Sequence, residues 1–169
     1  MIDELVARCK IVAEALPADG DIQYADRVSI QDELTSTSPS LPALLGVASA
    51  QKAWYVWTSR FPDDLRPLEI AEEALAGRAD PAQLRRRAGS LWTMLDDLAE
   101  SDFAAYAAGA AWLMVASEIL DGPHGLVPRE ESDSYDWDAA FWASLAISGG
   151  GTWMPGSDPV ARRDFGRVP

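Results

Sequence analysis

The chain has 169 residues and a mass of 18.3 kDa, with 48% hydrophobic and 24% charged residues. A single domain of that size buries roughly 70% of its unfolded surface, and the composition excludes a disordered chain, a collagen and a disulfide scaffold. Twenty-seven Asp and Glu against 14 Lys and Arg give a net charge of −13 and a pI near 4.3, which disfavours nucleic acid and anionic membrane as partners and favours basic proteins.

Ile2, Leu5, Val6, Cys9, Val12, Ala13 and Leu16 recur at helical spacing, and Pro17 and Gly20 end that helix. Its early acids and lack of a basic leader argue against a signal peptide, so the expected compartment is the cytoplasm. Cys9 is the only cysteine, which excludes an internal disulfide and a four-cysteine zinc site. Residues 21–35 form a weaker helix carrying Tyr24, Val28 and Leu34, and the polar run from Thr35 to Ser40 breaks it. Over 41–60, Leu41, Leu44, Leu45, Ala48 and Tyr55 mark an apolar stripe. Trp54 and Trp57 lie three apart there, as a core pair between helices or as an anchor at a protein interface.

Phe61 to Arg66 is a turn, and Pro67 suits the first turn of a new helix because its missing N–H has no intrahelical partner there. Gly77 closes that helix. Asp80-Pro81 is an N-cap with proline at the first helical position, followed by a face of Leu84, Ala88, Leu91, Trp92, Leu95 and Leu98, with Arg85, Arg86 and Arg87 off that face in solvent. Ser101-Asp102 opens the next helix, apolar nearly all round, which marks it as central and buried. Its longest apolar run, Phe103 to Ala116, falls short of a bilayer span. A loop containing His124 follows, then a last helix from Asp136 to Ser148 anchored by Trp137, Phe141, Trp142 and Leu145.

No strand pattern is present, so the expected fold is all-α. It is a single compact domain of six or seven helices with antiparallel helical hairpins. Within 1–169, residues 1–40 are N-terminal helices, 41–150 the core and 151–169 an irregular tail pinned by Trp153 and Phe165.

Charge is uneven. Residues 41–99 hold 8 acids and 7 bases, and residues 100–169 hold 11 and 4. The densest cluster, Glu130, Glu131, Asp133, Asp136 and Asp138 with Tyr135 and Trp137, is either a solvated loop or a docking surface for a basic partner. Its spacing does not match a calcium loop. The only histidine sits in Gly-Pro-His-Gly, no Gly-x-Ser-x-Gly occurs, and Gly149-Gly150-Gly151 follows a helix as a C-cap. One enzyme layout is conceivable. Glu69 and Glu72 on one helix could face Asp97 and Glu100 near the end of the next and hold Mg²⁺, as in all-α nucleotide pyrophosphohydrolases.

Two segments carry more information than composition. Phe61-Pro62-Asp63-Asp64-Leu65-Arg66-Pro67, leading into Glu69-Ile70-Ala71, resembles the helix entry of the fifth family of predicted all-α immunity proteins of bacterial polymorphic toxin systems. Asp136-Trp137-Asp138-Ala139-Ala140-Phe141-Trp142 looks like that family's second block, and the resemblance covers roughly residues 41–150. It implies a non-enzymatic inhibitor with no cofactor and no catalytic residues, whose partner is a cognate toxin. A basic nuclease would suit an acidic inhibitor that mimics its polyanionic substrate. Within the motif, Pro62, Asp63, Asp64, Arg66 and Pro67 are read as structural or functional, with Asp63 or Asp64 capping a helix and Arg66 pairing with one of them. The toxin-binding surface is expected at Glu130, Glu131, Asp133, Tyr135, Asp136, Trp137 and Asp138.

Overall fold

A computed structural model of the chain describes residues 24–121, 138–151 and 153–166, together with positions 7, 10, 11 and 14. These four positions are helical and exposed; the apolar face expected over 2–16, with Cys9, lies outside the described residues. Seven helices follow: α1 (Tyr24–Thr37), α2 (Leu41–Arg60), α3 (Arg66–Ala76), α4 (Pro81–Asp96), α5 (Phe103–Asp121), α6 (Ala139–Ser148) and α7 (Pro159–Gly166). There is no strand among the described residues, and the chain forms the expected all-α single domain.

The helix ends follow local chemistry. Asp80 caps α4 by accepting the Ala82 N–H at 3.2 Å, with Pro81 at the first helical position. Asp102 accepts the Ala105 N–H at the start of α5. Gly77 and Gly149 end α3 and α6 in the left-handed region, at φ 59° and 71°, where a side chain would be strained. α1 includes the first three residues, Thr35 to Thr37, of the polar stretch expected to break it. The turn comes at Ser38, whose carbonyl accepts the Leu41 N–H.

α5 is the central helix. It packs against α2, α3, α4 and α6, and its residues from Ala107 to Leu113 are all buried. At 19 residues it is long and apolar enough to cross a membrane by length and composition; its position among four helices accounts for that composition. Gly109 is the point of closest approach. A Cβ there would lie 2.8 Å from Leu95 Cδ2 and 2.9 Å from Trp57 Cζ3. Trp57 is fully buried, and Trp54 stacks on it at 6.3 Å while meeting Trp112 edge-on at 6.0 Å. The pair is aromatic core.

Three expectations are corrected. The inner face of α2 is Pro42, Gly46, Ser49, Ala50, Ala53 and Trp57, while Leu44, Leu45 and Tyr55 are 55%, 40% and 60% exposed. Small residues face inward because α5 and α6 approach α2 closely. The tail is not irregular: Asp158 Oδ1 accepts the Val160 and Ala161 N–H groups and starts α7, which docks on α6. Phe165 packs against the core as expected, but Trp153 is 57% exposed. Of the three arginines of α4, Arg85 and Arg86 are exposed as expected, Arg85 also bonding Asp121 and the Leu120 carbonyl, whereas Arg87 is half-buried and bonds Glu73.

Candidate functional site

The turn between α2 and α3 is fixed from inside. The Trp57 indole N–H donates to the Asp64 carbonyl at 2.6 Å, the Phe61 ring lies 4.7 Å from the Trp57 ring, and the Asp64 N–H donates to the Phe61 carbonyl. Asp64 then binds Arg66 in a two-point fork, Nε to Oδ1 at 2.9 Å and Nη2 to Oδ2 at 2.6 Å, and its Oδ1 accepts the Arg66 backbone N–H. These hydrogen bonds hold the Asp64 carboxyl below the ordinary carboxylate range. Pro67 is buried, whereas Pro62, Asp63 and Leu65 are exposed. The motif therefore splits. Asp64, Arg66 and Pro67 build the corner, and Pro62 and Asp63 face outward.

The described part of the second motif block begins at Asp138, which caps α6. Its Oδ1 accepts the Phe141 N–H at 2.7 Å and its Oδ2 accepts the Gln31 side-chain amide of α1 at 2.9 Å. Glu118 of α5 reaches the same helix start. It is 8% exposed, and its Oε2 has no hydrogen-bond partner among the described residues. Burial, then the Asp138 charge, pushes its carboxyl up to about 7, against a smaller opposing pull from the Ala139 N–H. Gly46 of α2 covers it, since a Cβ there would lie 3.3 Å from Oε2 and 3.0 Å from the Ala139 Cβ. Gly46 and Phe61 are fifteen residues apart, about 22 Å along α2 at 1.5 Å per residue. The two motif blocks thus sit at opposite ends of that helix.

Of the expected docking residues, Asp138 is described and serves as a helix cap; Glu130, Glu131, Asp133, Tyr135, Asp136 and Trp137 lie outside the described residues, as does His124. Glu69, Glu72, Asp97 and Glu100 are all exposed. No group of three or more His, Cys, Asp or Glu positioned to hold a metal ion occurs among the described residues, so these four carboxylates are not gathered into the cage that the pyrophosphohydrolase layout requires. Glu118 was not anticipated, although it is the only charged residue between Phe103 and Leu120. A lone carboxylate in an otherwise apolar helix was the available signal. The Arg87–Glu73 pairing, 2.6 Å across α3 and α4, had no local signal at all.

No curated protein and no solved structure matches the chain. A family model, immunity protein Imm5, matches residues 20–167, extending beyond the two motif blocks at both ends. With the corner of Asp64, Arg66 and Pro67 and the capped α6 start inside that match, the chain belongs to the Imm5 family of immunity proteins.

Proposed function

We propose that this protein is a non-enzymatic, cytoplasmic inhibitor that binds and neutralises one cognate bacterial toxin. The observation that carries the reading is the family match over residues 20–167. The net charge of −13 supports a basic toxin, such as a nuclease whose polyanionic substrate the inhibitor imitates. The proposed docking surface is Glu130, Glu131, Asp133, Tyr135, Asp136 and Trp137. Its carboxylates would steer encounter, and its two aromatics would supply desolvated contact area. Asp138 is left out of this surface because both of its oxygens are used in capping α6 and binding Gln31.

The test is capture from a lysate of the source organism at low salt, followed by identification of what is retained and assay of its activity with and without this chain. One stoichiometric basic protein whose toxicity is suppressed, and whose association slows as salt rises, supports the reading. A chain that binds the toxin without suppressing it refutes inhibition. Changing Glu130, Glu131, Asp133 and Asp136 to Gln or Asn, with Asp138 kept, leaves helicity intact and abolishes protection; unchanged toxin affinity removes the surface assignment.

A further inference from the structure

A cleft of about 160 Å³ opens between α3 and α4, lined by Arg66, Ile70, Arg87, Ser90 and Leu91. Ile70 and Leu91 are buried and apolar and form its floor. Arg66, Arg87 and the exposed Ser90 form its rim. Both guanidinium groups are held in place by carboxylates of the same chain: Arg66 by Asp64, with a further contact from its Nη2 to Met94 Sδ at 3.0 Å, and Arg87 by Glu73 through Nη1 at 2.6 Å. A guanidinium carries five N–H donors. The Nη1 of Arg66, the Nε and Nη2 of Arg87 and the Ser90 hydroxyl have no partner among the described residues.

Two cations already fixed in orientation lose little side-chain freedom when a ligand arrives. Their spare planar donors match a carboxylate, and the floor matches an aliphatic stem. The cleft also lies in the least acidic stretch of the chain, since residues 41–99 hold 8 acids and 7 bases. In a protein of net charge −13 this stretch is near neutral, at −1, so a carboxylate meets less repulsion at the cleft than over the rest of the chain. An acidic surface alone attracts any basic protein, whereas a cleft that accepts an acid rejects partners that present a base or nothing at that point.

We infer that the α3–α4 cleft receives an acidic side chain, Glu or Asp, of the toxin and so selects the cognate toxin among basic proteins. This rests on the reading of the chain as a toxin inhibitor. Asp64 of the family motif then serves the contact indirectly, by holding Arg66 at the rim.

The first arm needs no toxin. The full chain, labelled with ¹⁵N, is titrated with butyrate, and the arginine Nε–H signals are followed. Arg66 and Arg87 shift saturably, Arg87→Gln weakens binding about tenfold, Ser90→Phe fills the cleft and abolishes it, and n-butylammonium produces no shift. Arg66 is left intact because it braces the turn. No saturable shift, equal affinity in both variants, or tighter binding of inorganic phosphate than of butyrate overturns the carboxylate assignment. In the second arm, Arg87→Gln and Ser90→Phe bind the captured toxin about tenfold more weakly than the wild type. Equal affinity overturns the cleft as a toxin contact while inhibition stands. Absence of any captured toxin with the wild type counts against the inhibitor reading instead, and the butyrate arm still decides the chemistry of the cleft.

Discussion

Glu118 and Asp138, from α5 and α6, bring two carboxyl groups to one helix N-terminus, and only one of them is satisfied there. Asp138 is fully engaged as a cap, while Glu118 is buried beside it with an unpartnered oxygen. Asp138 joins α1 to the start of α6 through Gln31, and Glu118 of α5 is buried beside that junction.

Stability should fall with rising pH because of Glu118. Its carboxyl is raised from 4.5 to about 7, so between those values the folded chain keeps a proton that the unfolded chain has lost. Its contribution is fully present below pH 4.5 and is lost as pH rises through 7. The shift corresponds to about 3 kcal/mol at 1.36 kcal/mol per unit. Unfolding midpoints of wild type and Glu118→Gln, compared from pH 5 to 8, should diverge in favour of the variant as pH rises. A difference that stays constant over that range would show a carboxyl titrating as if exposed.

Asp64 should behave with the opposite sign. Its carboxyl is lowered by the Arg66 hydrogen bonds, so its contribution is present above 3.8 and lost as pH falls through the folded value. Asp64→Ala removes the fork to Arg66 and the bond to its backbone N–H, and should cost about 1 kcal/mol, typical of a lost cap. Urea unfolding at pH 7 reads this loss. The gap between variant and wild type should shrink below pH 4.

Gly109 and Gly89 should respond oppositely to the same change. A Cβ at Gly109 meets Leu95 and Trp57 below 3.0 Å, whereas one at Gly89, exposed in the interior of α4, meets nothing within 4 Å. Gly109→Ala should destabilise by about 1–3 kcal/mol, because the Trp57 ring is held by its bond to the Asp64 carbonyl. Gly89→Ala should stabilise by about 0.5–1 kcal/mol through the lower entropy of the unfolded chain. Thermal melts of the two single variants check both signs.

Asp158→Ala should free the two N–H groups that its Oδ1 accepts and cost about 1 kcal/mol. Lys52 lies 5.5 Å above the Phe165 ring of α7, so amide exchange in α7 should quicken more than exchange in α5. Uniform exchange across the bundle would show that α7 and the core unfold as one unit.

The helix positions were largely legible because caps are local chemistry. Asp80-Pro81 announced α4, and Leu84, Leu91 and Leu95 are its buried face. The same Asp-Pro signature at 158–159 lies among glycines and prolines that read as irregular, yet it starts α7. The orientation of α2 is not legible from apolar size. Apolar size pointed to Leu44, Leu45 and Tyr55, but close helix approach selects small volume, so Gly46, Ala50 and Ala53 face inward. At the candidate site, Asp64 and Arg66 were readable as near neighbours in sequence. Glu118 with Asp138, and Arg87 with Glu73, are meetings between separate helices, which no single segment encodes.

α5 also constrains how the protein can be made. Its apolar surface is covered in part by α6, and α6 begins only at Ala139, after the whole of α5 has been synthesised. Until then the growing chain carries a 19-residue apolar helix of membrane-spanning length with one side open. A product truncated ahead of Ala139 should therefore leave that side of α5 exposed to chaperones, proteases or a bilayer, so residues 139–169 complete the cover of a helix made long before them.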